Sequence, residues 1–160
     1  MPSDPLTGVV VGLHVNPNGG VPKHPVTTLR VHSEGCDGDR QNDRRYHGGP
    51  DRAVCLMADE VLTGLVADGH PIHPGSTGEN VLISGIEPTT YAPGVHLNFE
   101  SGVVLEITTD APPCATISAS FIDGRFHALS HKRQVAVTRW YARVVKEGNL
   151  SLGQSVLRHQ

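Results

Sequence analysis

A mainly β chain, a single β-barrel-like domain with one or two short helices, is what the 160 residues predict. Glycine (18) and proline (12) are abundant; the first reaches positive φ and the second removes a backbone donor, so together they cut the chain into short segments joined by turns. The apolar runs between these breaks are short and rich in β-branched residues, the composition of strands. The size is that of one domain, residues 1–160, able to bury roughly 70% of its unfolded surface without disulfides.

The elements follow in order. Leu6 to Val15 is valine-rich and reads as a buried strand, ended by Asn16-Pro17-Asn18-Gly19-Gly20. Val26 to His32 reads as a second strand. Ser33 to Asp51 has no periodicity and is a polar, glycine-bearing loop of a length reserved for function or disorder. Arg52 to Met57 is a central strand with both faces largely apolar. Asp59 is the expected N-cap of a helix through Ala67, with Val61, Leu62 and Leu65 on one stripe and Gly69 near its end. His70 to Gly78 is loop, and Glu79 to Ser84 a strand that leaves a polar surface for the core. His96 to Phe99 and Val103 to Thr109 form a hairpin around Glu100-Ser101-Gly102. Ala115 to Ile122 is a short helix. Trp140 to Val145 and Ser155 to Leu157 are strands linked through Glu147-Gly148-Asn149.

Composition excludes several function classes. Hydrophobic residues at 38% and charged residues at 18% suit neither a disordered tail nor a membrane-embedded chain. A formal charge of -3 and 4% aromatic content argue against polyanion binding and base stacking, so no nucleic-acid partner is expected. Met1-Pro2-Ser3-Asp4-Pro5 lacks a basic region followed by an apolar stretch, and no run is long enough to span a bilayer. A soluble cytoplasmic protein with no membrane partner is expected. The odd number of cysteines, Cys36, Cys55 and Cys114, and the absence of C-x-x-C fit a reducing compartment.

Four places carry possible chemistry. Cys114 follows Pro112-Pro113 at the end of an apolar strand, and two fixed φ angles hold the thiol at a defined place. Its other reading is a small buried hydrophobe. To be mainly thiolate at neutral pH, a free thiol needs about 2 kcal/mol from a nearby cation or metal. Cys55, inside an apolar strand, reads as core packing; nothing near Cys36 assigns it a role. His47-Gly48-Gly49-Pro50-Asp51-Arg52 pairs two glycines, which let backbone N–H groups approach an anion, with Arg52 or Arg45 as forked phosphate donors and His47 as a hydrogen-bonding group. A tight turn capped by His47 is the alternative. From Asp37 to Arg52 four aspartates balance four arginines, which reads as an internally paired loop. Gly78-Glu79-Asn80 puts a carboxylate and an amide at a strand entrance, to orient a ligand or, as the local pattern favours, to satisfy loop N–H groups. His70 with His73, and His127 with His131, lack companions at zinc-like spacing and read as surface histidines.

Together these segments resemble the MOSC domain, the C-terminal module of molybdenum-cofactor sulfurases that also occurs as small stand-alone proteins. The resemblance runs from Lys23 to Val156. It rests on Gly35-Cys36-Asp37-Gly38-Asp39, on His47 to Val54, on Gly78-Glu79-Asn80-Val81, on Val104-Leu105-Glu106-Ile107 leading to Pro113-Cys114, and on Tyr141 to Val145 with Gly148 and Gly153 as a closing hairpin. It implies a closed β-barrel with a cysteine in a pocket that binds the molybdenum cofactor, a pterin with dithiolene and phosphate groups, or carries sulfur as a persulfide. Cys114 takes the role of catalytic residue and metal ligand. Lys23, Arg45, His47, Gly48, Gly49, Arg52, Glu79 and Asn80 become cofactor-pocket residues, with Lys23 placed to reach the phosphate. Relatives often carry an arginine before the proline-cysteine pair, where this chain has Asp110-Ala111-Pro112. Pyridoxal phosphate is not expected, since the chain has three lysines (Lys23, Lys132, Lys146) and no aminotransferase-sized fold.

Three functions follow from that resemblance. The first is reduction of N-hydroxylated small molecules at molybdenum held by Cys114, with an electron-donor protein as partner. The second is a sulfur carrier that accepts persulfide sulfur on Cys114 from a cysteine desulfurase. The third is a binding module without catalysis.

Overall fold

The computed structural model describes residues 6–40 and 49–160. Its strands, in chain order, are β1 (Thr7–Val15), β2 (His24–Pro25), β3 (Thr28–His32), β4 (Gly35–Cys36), β5 (Val54–Ala58), β6 (Val81–Ser84), β7 (His96–Phe99), β8 (Val104–Ala111), β9 (Arg139–Lys146), β10 (Gly148–Ser151) and β11 (Ser155–His159). Helix α1 (Asp59–Ala67) lies between β5 and β6. Seven strands close into a barrel in the order β11-β7-β8-β9-β5-β6-β1, sealed by β1 against β11. Strand β2 extends the sheet beside β1, and β10-β3-β4 form a separate three-stranded sheet.

Pairing is antiparallel around the barrel except between β5 and β6. Parallel neighbours need a crossover rather than a tight turn, and α1 supplies it. The helix buries Val61, Leu62 and Leu65. Asp59 is its first residue rather than its cap: Ala58 stands at the N-cap position without a side-chain bond, and Asp59 and Glu60 place negative charge in the first turn, where the helix dipole favours it.

Alternation decides what fills the lumen. Val10 on β1, Val54 and Leu56 on β5, Leu97 on β7, Leu105 and Ile107 on β8, Ala142 on β9 and Val156 on β11 are buried in one continuous core. Their neighbours of opposite parity, such as Val9, Val11 and Leu157, are exposed. The lumen is therefore packed with aliphatic side chains.

Three expectations are corrected. Arg52 does not start β5 but ends a 3-10 turn, Pro50–Arg52, because proline at its first position favours a turn. Ala115–Ser120 is 3-10 rather than α. The segment after β9 is no hairpin loop: Gly148–Ser151 is itself strand β10, and it pairs with β3, while β11 pairs with β1 and β7. That detour binds the small sheet to the barrel and fixes the chain that leads through Cys36 to Arg40.

Candidate functional site

A cavity of about 640 Å³ lies against the barrel, and Cys114 is at its edge. Its floor is set by register. Cys55 on β5 stands opposite Tyr141 on β9, Tyr141 opposite Thr109 on β8, and Arg139 opposite Ala111. Cys55, Arg139 and Tyr141 have the parity opposite to Val54 and Ala142, and a register shift between Ile107 and Thr109 turns Thr109 and Ala111 to the same side, so all five project from the outer face of the strands that fill the lumen. Cys55, Ala111 and Tyr141 form a small apolar cluster separate from the main core. The site thus sits on the wall of the barrel and not inside it.

One rim is the stem that leaves β8. Pro112, Pro113, Cys114, Thr116 and Ile117 line it. Cys114 is extended (φ -142°, ψ 172°) and starts the 3-10 segment with its carbonyl accepting from the Ile117 N–H at 3.1 Å. Its thiol is partly exposed and lies 2.7 Å from the Thr116 hydroxyl. Cys55 and Cys36 are buried, and burial pushes both thiols upward from their ordinary range. Cys36 donates to the Ala53 carbonyl. Of the three thiols, only Cys114 is both accessible and beside the cavity.

The opposite rim comes from Gly20, Val21, Lys23, Thr77 and Gly78. Here Asp39 organises the loops. Its carboxylate accepts from Lys23 Nζ at 2.6 Å, from Asn80 Nδ2 at 2.9 Å and from the Asn16 N–H at 2.8 Å. Lys23 and Asp39 form a buried ion pair with side-chain exposures of 7% and 3%. Asp39 therefore pairs with Lys23, outside the Asp37–Arg52 stretch that its charge balance had suggested as self-contained.

Glu79 and Asn80 brace this rim from behind and do not line the cavity. Glu79 accepts from the Gly75 N–H at 2.5 Å and from Thr77 Oγ1 at 3.0 Å. Burial pushes its carboxyl upward, against the pull of those two donors. Asn80 donates to the His14 carbonyl and accepts from the Cys55 N–H, tying β1 to β5. Gly75 has φ +84°, and a side chain there would run into the Lys23 carbonyl, so the turn that feeds Glu79 depends on glycine.

Arg52 lines the cavity with its guanidinium 5.4 Å from the centre of the Tyr141 ring. Burial pushes the Tyr141 phenol up to about 12. Gly49 precedes the 3-10 turn with φ +80° and does not line the cavity. Arg45, His47 and Gly48 lie outside the described residues.

Sequence reasoning missed Arg139, which is 6% exposed and lines the cavity. Nη1 donates to the Thr77 carbonyl at 2.6 Å, and Nη2 to the carbonyls of Ala111 at 3.4 Å and Pro112 at 3.2 Å. One side chain thus fastens the two rims together. A cation sits under the stem although none precedes Pro112 in sequence. The available signal was a charged residue at the start of a strand, directly before the large aromatics Trp140 and Tyr141. His70 and His131 brace loops, accepting from the N–H groups of Ile122 and Ala136. Another hollow, about 480 Å³ between α1 and residues 134–137, has no thiol in its wall.

The model of the MOSC domain family matches residues 43–157. In sequence, the chain is 27% identical over 139 residues to the uncharacterized protein YflK of Bacillus subtilis (strain 168), covering 86% of this chain and 62% of that protein. It therefore spans less than two thirds of that relative. In structure it is similar to the YuaD protein of Bacillus subtilis, with TM-score 0.74, 18% identity and 96% of both chains covered. YiiM from Geobacillus stearothermophilus gives TM-score 0.72 at 18% identity, covering 96% of this chain and 75% of that one. YiiM from Escherichia coli gives 0.68 at 18%, covering 96% and 70%. At these identities the structures show a shared fold.

Proposed function

The chain belongs to the MOSC domain family, and from that premise we propose that it binds the molybdenum cofactor at the Cys114 cavity and reduces small N-hydroxylated compounds to amines. One observation carries the reading: a partly exposed thiol on a stiff stem opens on a cavity of about 640 Å³ whose wall holds Lys23, Arg40, Arg52 and Arg139. The donor set fits the group. A thiolate is a soft ligand suited to such a metal, arginine forks suit phosphate oxygens, and the volume is within the range of small-molecule sites.

When bound, the metal centre would supply two-electron chemistry, taking R–NHOH, two electrons from a donor protein and two protons to R–NH2 and water. The chain's own residues do the rest. Cys114 would hold the group, and Thr116 orients the sulfur through their short contact. Arg139 and the diproline fix the stem. Arg52 and Arg40 line the cavity as cations for an anionic ligand. Tyr141, a phenol that is neutral at neutral pH and that burial pushes further up, can serve as a hydrogen-bond donor.

The test is molybdenum and pterin content after expression in a host that makes the cofactor. Stoichiometric loading that Cys114→Ala abolishes supports the reading; empty protein with an intact thiol defeats it. A second reading, a persulfide carrier, is favoured by the place of Cys114 on the outer wall, where a desulfurase can reach it. The desulfurase persulfide would pass its outer sulfur to the Cys114 thiolate and leave as a thiol. One sulfur added at Cys114, seen by peptide mass spectrometry after incubation with desulfurase and cysteine, distinguishes that role.

A further inference from the structure

Arg139 is a buried cation that forms no ion pair among the described residues. Its three hydrogen bonds all go to neutral backbone carbonyls, and its Nε has no partner. Among the described residues no carboxylate lies within ion-pair distance of it. Glu79, the buried acid whose charge it feels, has its oxygens on Gly75 and Thr77 and lies beyond ion-pair distance, so it offsets that charge only in part. Lys23, by contrast, is neutralised by Asp39. A charge withdrawn from water without a direct ion pair is unfavourable, so its persistence beside a cavity points to an anion that completes it.

We propose that Arg139 sets charge selectivity at the Cys114 cavity, favouring anionic reactants over neutral ones of the same shape. The inference rests on reading this cavity as the binding site, but not on the identity of its cofactor. Cationic walls concentrate anions locally, and Arg139 acts from the floor beneath the stem. The selected class is small organic or inorganic oxyanions that approach the sulfur.

Iodoacetate and iodoacetamide differ mainly in charge, and the rate ratio at Cys114, read by peptide mass spectrometry, measures the preference. The full chain would come from a host unable to make the cofactor, with N-acetylcysteine amide as the reference thiol. The wild-type ratio of iodoacetate to iodoacetamide should exceed the reference ratio by about tenfold. Arg139→Gln should bring it within about twofold of the reference, and Arg139→Lys should retain most of the preference. A wild-type ratio equal to the reference, or a preference that survives in Arg139→Gln, overturns the proposal. If Arg139→Gln does not fold, wild type and Arg139→Lys decide, since absence of the preference in either is fatal. Metal and pterin analysis of protein from a cofactor-making host is a separate readout, so selectivity without cofactor, or cofactor without selectivity, tells which reading failed.

Discussion

Strands β5, β8 and β9 have two faces with opposite tasks. Toward the lumen they present Val54, Leu56, Leu105, Ile107 and Ala142, all fully buried. On the outer face they present Cys55, Thr109, Arg139 and Tyr141 to a cavity. The first face is held by nondirectional burial, so many shapes of similar volume would serve. On the second, Arg139 is held by hydrogen bonds with fixed partners, beside the small apolar cluster of Cys55 and Tyr141. Stability should depend on both faces, while chemistry depends on the outer one.

Removing one member of the buried pair should have the largest effect. Asp39→Ala leaves Lys23 charged and unpaired, and denaturant unfolding should show a loss of about 3–5 kcal/mol. Next comes the lumen: Ile107→Ala should lose about 2–5 kcal/mol while leaving the Cys114 alkylation rate of the folded protein unchanged. A rate that shifts together with stability would show that the faces are not separable. Thr116→Val should do the reverse, costing no more than about 1 kcal/mol yet altering cofactor loading or persulfide yield at Cys114, with Thr116→Ser restoring it.

The subtlest comparison uses pH. His14 is buried, its Nδ1 has no partner, and burial lowers its pKa below the ordinary 6.5. A lowered native pKa means that the unfolded chain takes up the proton first. The stability present above pH 6.5 should therefore decline as pH falls through the native value. Glu79, shifted upward by burial, contributes with the opposite sign and gains stability as pH falls. The difference between wild type and His14→Gln, followed by thermal unfolding from neutral to acidic pH, isolates the histidine. A constant difference would disprove this account.

Much of the fold was legible because it is local. The alternation of Thr7–Val15, the stripe of α1 and the Glu100-Ser101-Gly102 turn need only neighbours in sequence to form. The detour of β10 to β3 was not legible, since a four-residue strand that begins with Gly148, one residue after β9, reads as a link until its partner is known. At the site, Cys114 stood out because two prolines precede it. Arg139 did not, because its partners Thr77 and Pro112 are far away in the chain. Glu79 and Asn80 were placed at a strand entrance, but only packing shows that their polar atoms serve Gly75, Thr77, His14 and Asp39.

The chain alone determined that strands would form, that a helix would follow one of them and precede the next, and that a thiol would sit at the end of a rigid stem. These follow from side-chain periodicity and from the φ angles that proline and glycine allow. Only the tertiary structure decided which face of those strands carries the cavity and which distant cation lies under the sulfur. Strand register couples residues dozens of positions apart, and a shift of one residue would have turned Arg139 and Tyr141 into the lumen.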